Sequence, residues 1–130
     1  MHSKITLCAC LTIVALLLCV LTPANASWIN GDVAQLQALD KITARISTLS
    51  APIGKPIRFG TLEIVIQRCA FRPPEEPPED VAFLQITDRG HGDSTPGRQV
   101  FSGWMFSSSP AVSAVEHPVY DVTLLDCIID

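Results

Sequence analysis

Beyond residue 40, apolar side chains recur at every second position, the period of strands with one buried face. Ile42, Ala44 and Ile46 alternate with Thr43, Arg45 and Ser47. Ile57 and Phe59 open a second alternation, which Gly60 interrupts and Leu62, Ile64 and Ile66 resume, with Glu63 and Gln67 facing the other way. A tight bend or a bulge is expected at Gly60. The run VAFLQIT (81–87) reads as a strand. In Val100–Phe106, Phe101, Gly103 and Met105 share one face, and Ser102, Trp104 and Phe106 share the other. Tyr120, Val122 and Leu124 line one face of a last strand that closes at Cys127.

Between these runs the chain is punctuated by turn-formers. Ala51–Pro56 holds two prolines and a glycine and reads as a turn. RPPEEPPED (72–80) carries four prolines and is expected to be an extended, polyproline-like surface loop. Asp88–Gly97 is a glycine-rich connector. Ser109–Pro110 makes a good N-cap and first helical residue. Ala111–Val115 then supplies about one and a half turns of helix, which His117–Pro118 ends. In the lead-in segment 27–38, the spacing of Val33, Leu36 and Leu39 permits a short helical turn. The pattern predicts a mainly β chain: a small antiparallel sandwich or barrel over residues 39–130, with one short helix near 110–116.

Residues 1–26 do not belong to this pattern. A short basic stretch (Met1–Lys4) is followed by an almost wholly apolar run, Ile5–Leu21, and by an Ala24-Asn25-Ala26 cleavage site. That order is expected of a secretory signal peptide, with Ser27 as the new N-terminus and export of the domain to an oxidising compartment. The alternative is an uncleaved helix that anchors the domain in the membrane, since the apolar run nearly reaches bilayer-spanning length.

Removal of Lys4 with that segment leaves eight Lys and Arg against 13 Asp and Glu, a net charge of −5. Such a balance argues against nucleic acid as a partner and against adhesion to anionic lipid. It also leaves Cys69 and Cys127 as an even pair in an oxidising compartment, read as one disulfide. No CxxC supports a metal or redox pair. Closing a loop of about 60 residues stabilises by roughly 4 kcal/mol in the chain-entropy model. If both strands are regular, Cys69 shares a face with Glu63 and Gln67, and Cys127 with Asp121 and Thr123. Both cysteines also lie near C-terminal strand ends, which neighbouring antiparallel strands place at opposite edges. The bridge is therefore expected to join non-neighbouring strands, unless a bulge intervenes.

Candidate chemistry concentrates in FSGWMFSSSPAVSAVEHPVYDVTLLDC (101–127). Ser107, Ser108 or Ser109 as nucleophile, His117 as base and Asp121 or Asp126 as orienter would make a hydrolytic arrangement. No GxSxG elbow accompanies them, and Ser109 has a cap to form. No catalytic residue is assigned; Ser109, His117 and Asp121 are the candidates should one exist. Glu75, Glu76, Glu79 and Asp80 invite calcium, but prolines splay them and no DxDxDG loop occurs, so neither metal nor cofactor is expected. His91 reads as a surface residue. Trp104, Glu75, Glu76 and Glu79 are the candidate binding residues, although a small domain needs large side chains inside and the core is the expected place for Trp104.

LDKITARI (39–46), FGTLEIVIQRC (59–69), RPPEEPPE (72–79), VAFLQI (81–86) and the 101–127 run together resemble the domain of unknown function 2155 family. The resemblance covers about Leu39–Cys127. It implies an exported protein of a Gram-negative, mainly alphaproteobacterial, envelope and a Cys69–Cys127 disulfide, and it brings no reaction, cofactor or site residue with it. The combined expectation is a non-catalytic binding or structural β-domain in the periplasm, with an envelope protein or glycan as partner and no membrane span after signal removal. The alternative is a small periplasmic hydrolase or carbohydrate-active enzyme built on Ser107–Asp121.

Overall fold

The computed structural model describes residues 27–91, 96–112, 115 and 117–130. The expected signal peptide, and Ser113, Ala114 and Glu116 of the expected helix, lie outside the described residues. No helix among the described residues is long and apolar enough to cross a membrane.

The strands in chain order are β1 (Ile29–Asn30), β2 (Val33–Asp40), β3 (Arg45–Pro52), β4 (Ile57–Phe59), β5 (Leu62–Phe71), β6 (Asp80–Asp88), β7 (Arg98–Phe106) and β8 (Tyr120–Ile128). All pairings are antiparallel. One sheet runs β1-β5-β6-β7, with β4 also paired to β5; the other runs β3-β2-β8. The two pack face to face as a sandwich. Leu62, Ile64 and Ile66 of β5, Leu84 and Ile86 of β6, Leu36 of β2, and Val122 and Leu124 of β8 fill the space between them, none more than 3% exposed. Each such side chain stabilises the fold by about 1.5–3 kcal/mol relative to exposure. The expected fold class matches this architecture, and of the two faces of β7 the one bearing Phe101, Gly103 and Met105 turns inward, with Met105 buried.

Val33–Asp40 corrects the sequence reading. No helical turn forms there; the segment is the central strand of its sheet, with Ala34, Leu36 and Ala38 wholly buried. Two of its three inward side chains are alanines, so spacing by three outweighs the alternation by two. The strand expected over Ile42–Ile46 is instead a hairpin turn that ends at Ala44, and β3 begins at Arg45. Asp40 Oδ1 accepts the N–H groups of Ile42 (2.9 Å) and Thr43 (3.2 Å). Ala44 adopts φ 55°, the left-handed conformation that closes such turns. Ile42 and Ile46 are consequently 76% and 62% exposed.

Gly60 forms the tight bend expected of it. Gly60–Thr61 is a two-residue turn between Phe59 and Leu62, glycine takes φ 58°, and a Cβ there would run into the Tyr120 hydroxyl. The proline loop is more compact than expected. Glu76 N–H donates to the Pro73 carbonyl (3.0 Å), and Arg72 N–H to that of Glu79 (3.0 Å), so the loop folds into a turn at the tip of the β5–β6 hairpin. The helix near 110–116 is, in its described part, a single 3-10 turn, Pro110–Val112.

The disulfide joins β5 and β8, strands of opposite sheets, with Cα atoms 5.9 Å apart. Neither cysteine sits on a polar face; Cys69 is 1% and Cys127 4% exposed. Two bulges account for this. Gln67 is an extra residue in β5 against β6, and Leu125 is an extra residue in β8 against β2. Each extra residue switches the strand's parity just before its cysteine and turns the thiol inward. Gly31 covers the bridge. Its N–H donates to the Cys69 carbonyl (3.0 Å), and a Cβ would collide with Cys127 Sγ.

Candidate functional site

The residues singled out from the sequence fall at two ends of the sandwich, linked by β6. At the C-terminal end of β6, Asp88 Oδ2 lies 2.8 Å from His117 Nε2. His117 Nδ1 accepts the N–H groups of Val119 (3.0 Å) and Tyr120 (3.2 Å). Two donors on Nδ1 fix the tautomer: the proton is on Nε2 and is donated to Asp88. Asp88 Oδ1 also accepts the Gly90 N–H (2.9 Å). The His117 hydrogen bond, followed by that of Gly90, lowers the Asp88 carboxyl to about 2. Pro118 directs the chain across this end, and Tyr120 packs at 5.1 Å on the His117 ring and edge-on to Phe59 at 5.5 Å.

A cleft of about 320 Å³ opens here between Thr61, Gly90, Arg98, Pro118 and Tyr120, with His91 adding a second nitrogen base. Its size is at the small end for ligand pockets. A histidine acting as general base needs a ring-nitrogen lone pair aimed at the substrate, and both His117 nitrogens are occupied by protein partners. The histidine therefore orders the 117–120 crossing and ties it to β6.

Asp121 does not join His117's side chain. It pairs with Lys41 Nζ (3.2 Å), which also donates to the His117 carbonyl (2.9 Å). Ser107–Ser109 stand at the opposite end of β6, where Ser107 N–H donates to the Asp80 carbonyl (2.9 Å). At about 3.3 Å per residue, β6 separates the serines from His117 by roughly 25 Å. The Ser–His–Asp candidates thus do not converge. Glu79 accepts from the Ser108 hydroxyl, the Ser108 N–H (3.2 Å) and the Ser107 hydroxyl (3.2 Å). Burial pushes the Glu79 carboxyl up, but these donors outweigh it and hold it below its ordinary range. Asp80 Oδ1 accepts the Cys127 N–H (3.2 Å). Burial, then the neighbouring Asp126 and Glu79 carboxylates, outweigh that donor and hold the Asp80 carboxyl up.

The candidate binding residues divide. Glu76 is held by Arg72 (3.5 Å) and the Ser27 hydroxyl (3.1 Å), and Arg72 in turn lies 3.8 Å over the Trp28 ring. Glu75 faces solvent. Trp104 is 41% exposed, so it is not a core residue; strand alternation turns it to the outer side of β7, edge-on to Phe83 at 5.4 Å. No group of three or more His, Cys, Asp or Glu among the described residues is placed to hold a metal ion. Asp88, the true partner of His117, is missed in sequence because 29 residues separate the two. The one available signal was its position as the last polar residue of a strand.

This geometry defines an antiparallel β-sandwich with one inter-sheet cystine. Over residues 34–127 the chain matches a family described as an uncharacterized protein conserved in bacteria, DUF2155, and it belongs to that family. It is similar to the uncharacterized protein RP359 of Rickettsia prowazekii (strain Madrid E), with 30% identity over 103 residues, covering 79% of this chain and 65% of that relative. No solved structure matches.

Proposed function

We propose that the protein is a non-catalytic binding domain of the bacterial envelope, exported to the periplasm behind residues 1–26. Its binding face is the outer side of β6 and β7 around Trp104. The observation that carries this reading is the exposure of Trp104, braced by Phe83, in a domain small enough to need its large side chains inside. Gln85 and Ser102 flank the ring in the paired strands and supply neutral hydrogen-bonding groups. A rigid indole with amide and hydroxyl neighbours suits stacking against a sugar ring or a side chain of an envelope protein. Glu76 and Glu79 are engaged within the fold, which leaves Glu75 as the loop acid free to contribute.

The test compares wild type, Trp104→Ala and Glu75→Ala, each exported and recovered in oxidised form. Binding is scored by co-sedimentation with purified peptidoglycan and by capture from envelope extracts. Trp104→Ala is expected to lose the partner and Glu75→Ala to keep most of it. Full retention by Trp104→Ala overturns the assignment of the face. A hydrolytic turnover lost in His117→Ala overturns the non-catalytic reading.

A further inference from the structure

We propose that the free edge of β3 is a strand-addition site for an extended, acid-flanked segment of a partner protein. Exposed sheet edges present unpaired main-chain donors and acceptors, and folded proteins blunt them with bulges, charges, prolines, short strands or covering groups. The other edges of this sandwich are blunted in that way. β7 carries a bulge at Val100, and its Phe101 and Phe106 carbonyls accept from the Gln99 side chain (3.5 Å) and the Ser109 N–H (3.3 Å). β8 is bulged at Leu125, bears Asp121 and Asp126, and has its Cys127 N–H taken by Asp80. β1 and β4 are two and three residues long.

Between its terminal Arg45 and Pro52, β3 has none of these protections. It pairs with β2 in unbroken register over eight residues. From Ile46 to Ala51 it holds no charge and no proline. Among the described residues, nothing hydrogen-bonds its main chain from 46 to 51 apart from β2. Half-buried Leu49 faces inward and exposed Ile46 outward, so an added strand would find apolar neighbours on both faces.

Charge selects the occupant. The chain is acidic overall, yet no Asp or Glu occurs between Asp40 and Glu63, while Lys41, Arg45, Lys55 and Arg58 do. Arg45 opens β3 opposite Asp40, whose charge it attracts, and Lys55 lies just past the strand's end; neither forms a close salt bridge among the described residues. Antiparallel pairing with a second copy would carry each Arg45 toward the other chain's Lys55, a like-charge arrangement. An extended segment with Asp or Glu at both ends complements the edge instead. This site is on the sheet opposite Trp104 and stands independently of that face.

The test is fluorescence anisotropy of the disulfide-bonded protein with a labelled synthetic peptide of alternating Val and Thr, capped by Asp at both ends. Saturable binding is expected, at least tenfold weaker when the ends are Lys. The Arg45→Glu/Lys55→Glu variant should reverse the preference, and its gain of the Lys-ended peptide shows that it has folded. Peptides N-methylated along one edge or the other should differ, one binding and one not. No binding of the Asp-ended peptide at millimolar concentration overturns the proposal, as does equal binding of both N-methylated forms. Self-association that masks the edge, seen by sedimentation and reversed by Thr48→Pro, a position whose N–H lies on the free edge, would assign the edge to a second copy and also overturn it.

Discussion

Asp80 and Asp88 begin and end the same strand, and each accepts a hydrogen bond from the segment of chain at the matching end of β8: the Cys127 N–H at one end, His117 Nε2 at the other. Their electrostatics are opposite. Asp88 receives donors from His117 and Gly90 and is held down at about 2, whereas Asp80 is held up by burial and by Asp126 and Glu79 beside it. Being a strand-terminal aspartate with a donor is therefore not what sets the charge preference; the neighbouring carboxylates and the degree of desolvation do. The two ends also differ in what they can tolerate. The Asp80 end is stapled by the cystine and covered by Gly31, so a disfavoured charge can persist there. The Asp88 end has no covalent closure, and its hydrogen bonds hold the crossing into β8.

The largest break in this comparison comes from removing the staple. Cys69→Ala/Cys127→Ala is expected to lose about 4 kcal/mol in urea unfolding, as loop-closure entropy predicts. Amide exchange should rise first at the Asp80 end and leave Val119 and Tyr120 protected; equal loss at both ends would show that the ends are not independent. Next comes His117→Ala, which strips Asp88 of its main donor and leaves the half-buried Val119 and Tyr120 N–H groups without their acceptor. A loss of roughly 2–3 kcal/mol is expected. In a double-mutant cycle, Asp88→Asn should add little to it.

Acid titration gives a smaller effect with a definite sign. The Asp88 carboxyl sits below its ordinary value of 3.8 in the fold, so the unfolded chain takes up the proton first. Its stabilisation is complete above about pH 4 and disappears as pH falls toward 2. With allowance for solvent screening the amount is on the order of 1 kcal/mol, and Asp88→Asn should flatten the acid limb of a stability–pH curve. Asp80 behaves in reverse. Its carboxyl is raised, so the charged form is the disfavoured one, and Asp80→Asn should be neutral or stabilising by about 0.5 kcal/mol at pH 7. That gain should vanish below pH 4. A clear loss at pH 7 instead would mean that the Cys127 N–H needs a full negative charge.

The strands richest in branched apolar residues, Leu62–Ile66 and Val81–Ile86, were legible because their side chains are large enough to mark each buried position. β2 was not, since alanines mark burial weakly and its polar partners are glutamines with modest strand preference. The Ile42–Ile46 alternation misled for a related reason: Asp40's capping of two N–H groups, a turn signal, competes locally with the apolar pattern and wins. The Ser–His–Asp candidates failed as a unit because proximity in sequence says nothing about which end of a sandwich a residue reaches. Asp88 emerged only when β6 and the 117–120 crossing were placed side by side. Trp104's outward turn follows from the same β7 alternation that was read correctly, applied against the expectation that bulk belongs inside.

Gln67 and Leu125 act as frame-shifts in the spatial sense. Each adds one residue to a strand and so exchanges its inside and outside faces for everything that follows. Deleting either one alone would keep every other amino acid in the chain and yet leave one thiol pointing to solvent and its partner stranded in the core. Oxidation thus reports on counting: the bond closes only in a molecule whose two sheets, formed from distant parts of the chain, have each inserted their extra residue at the right step.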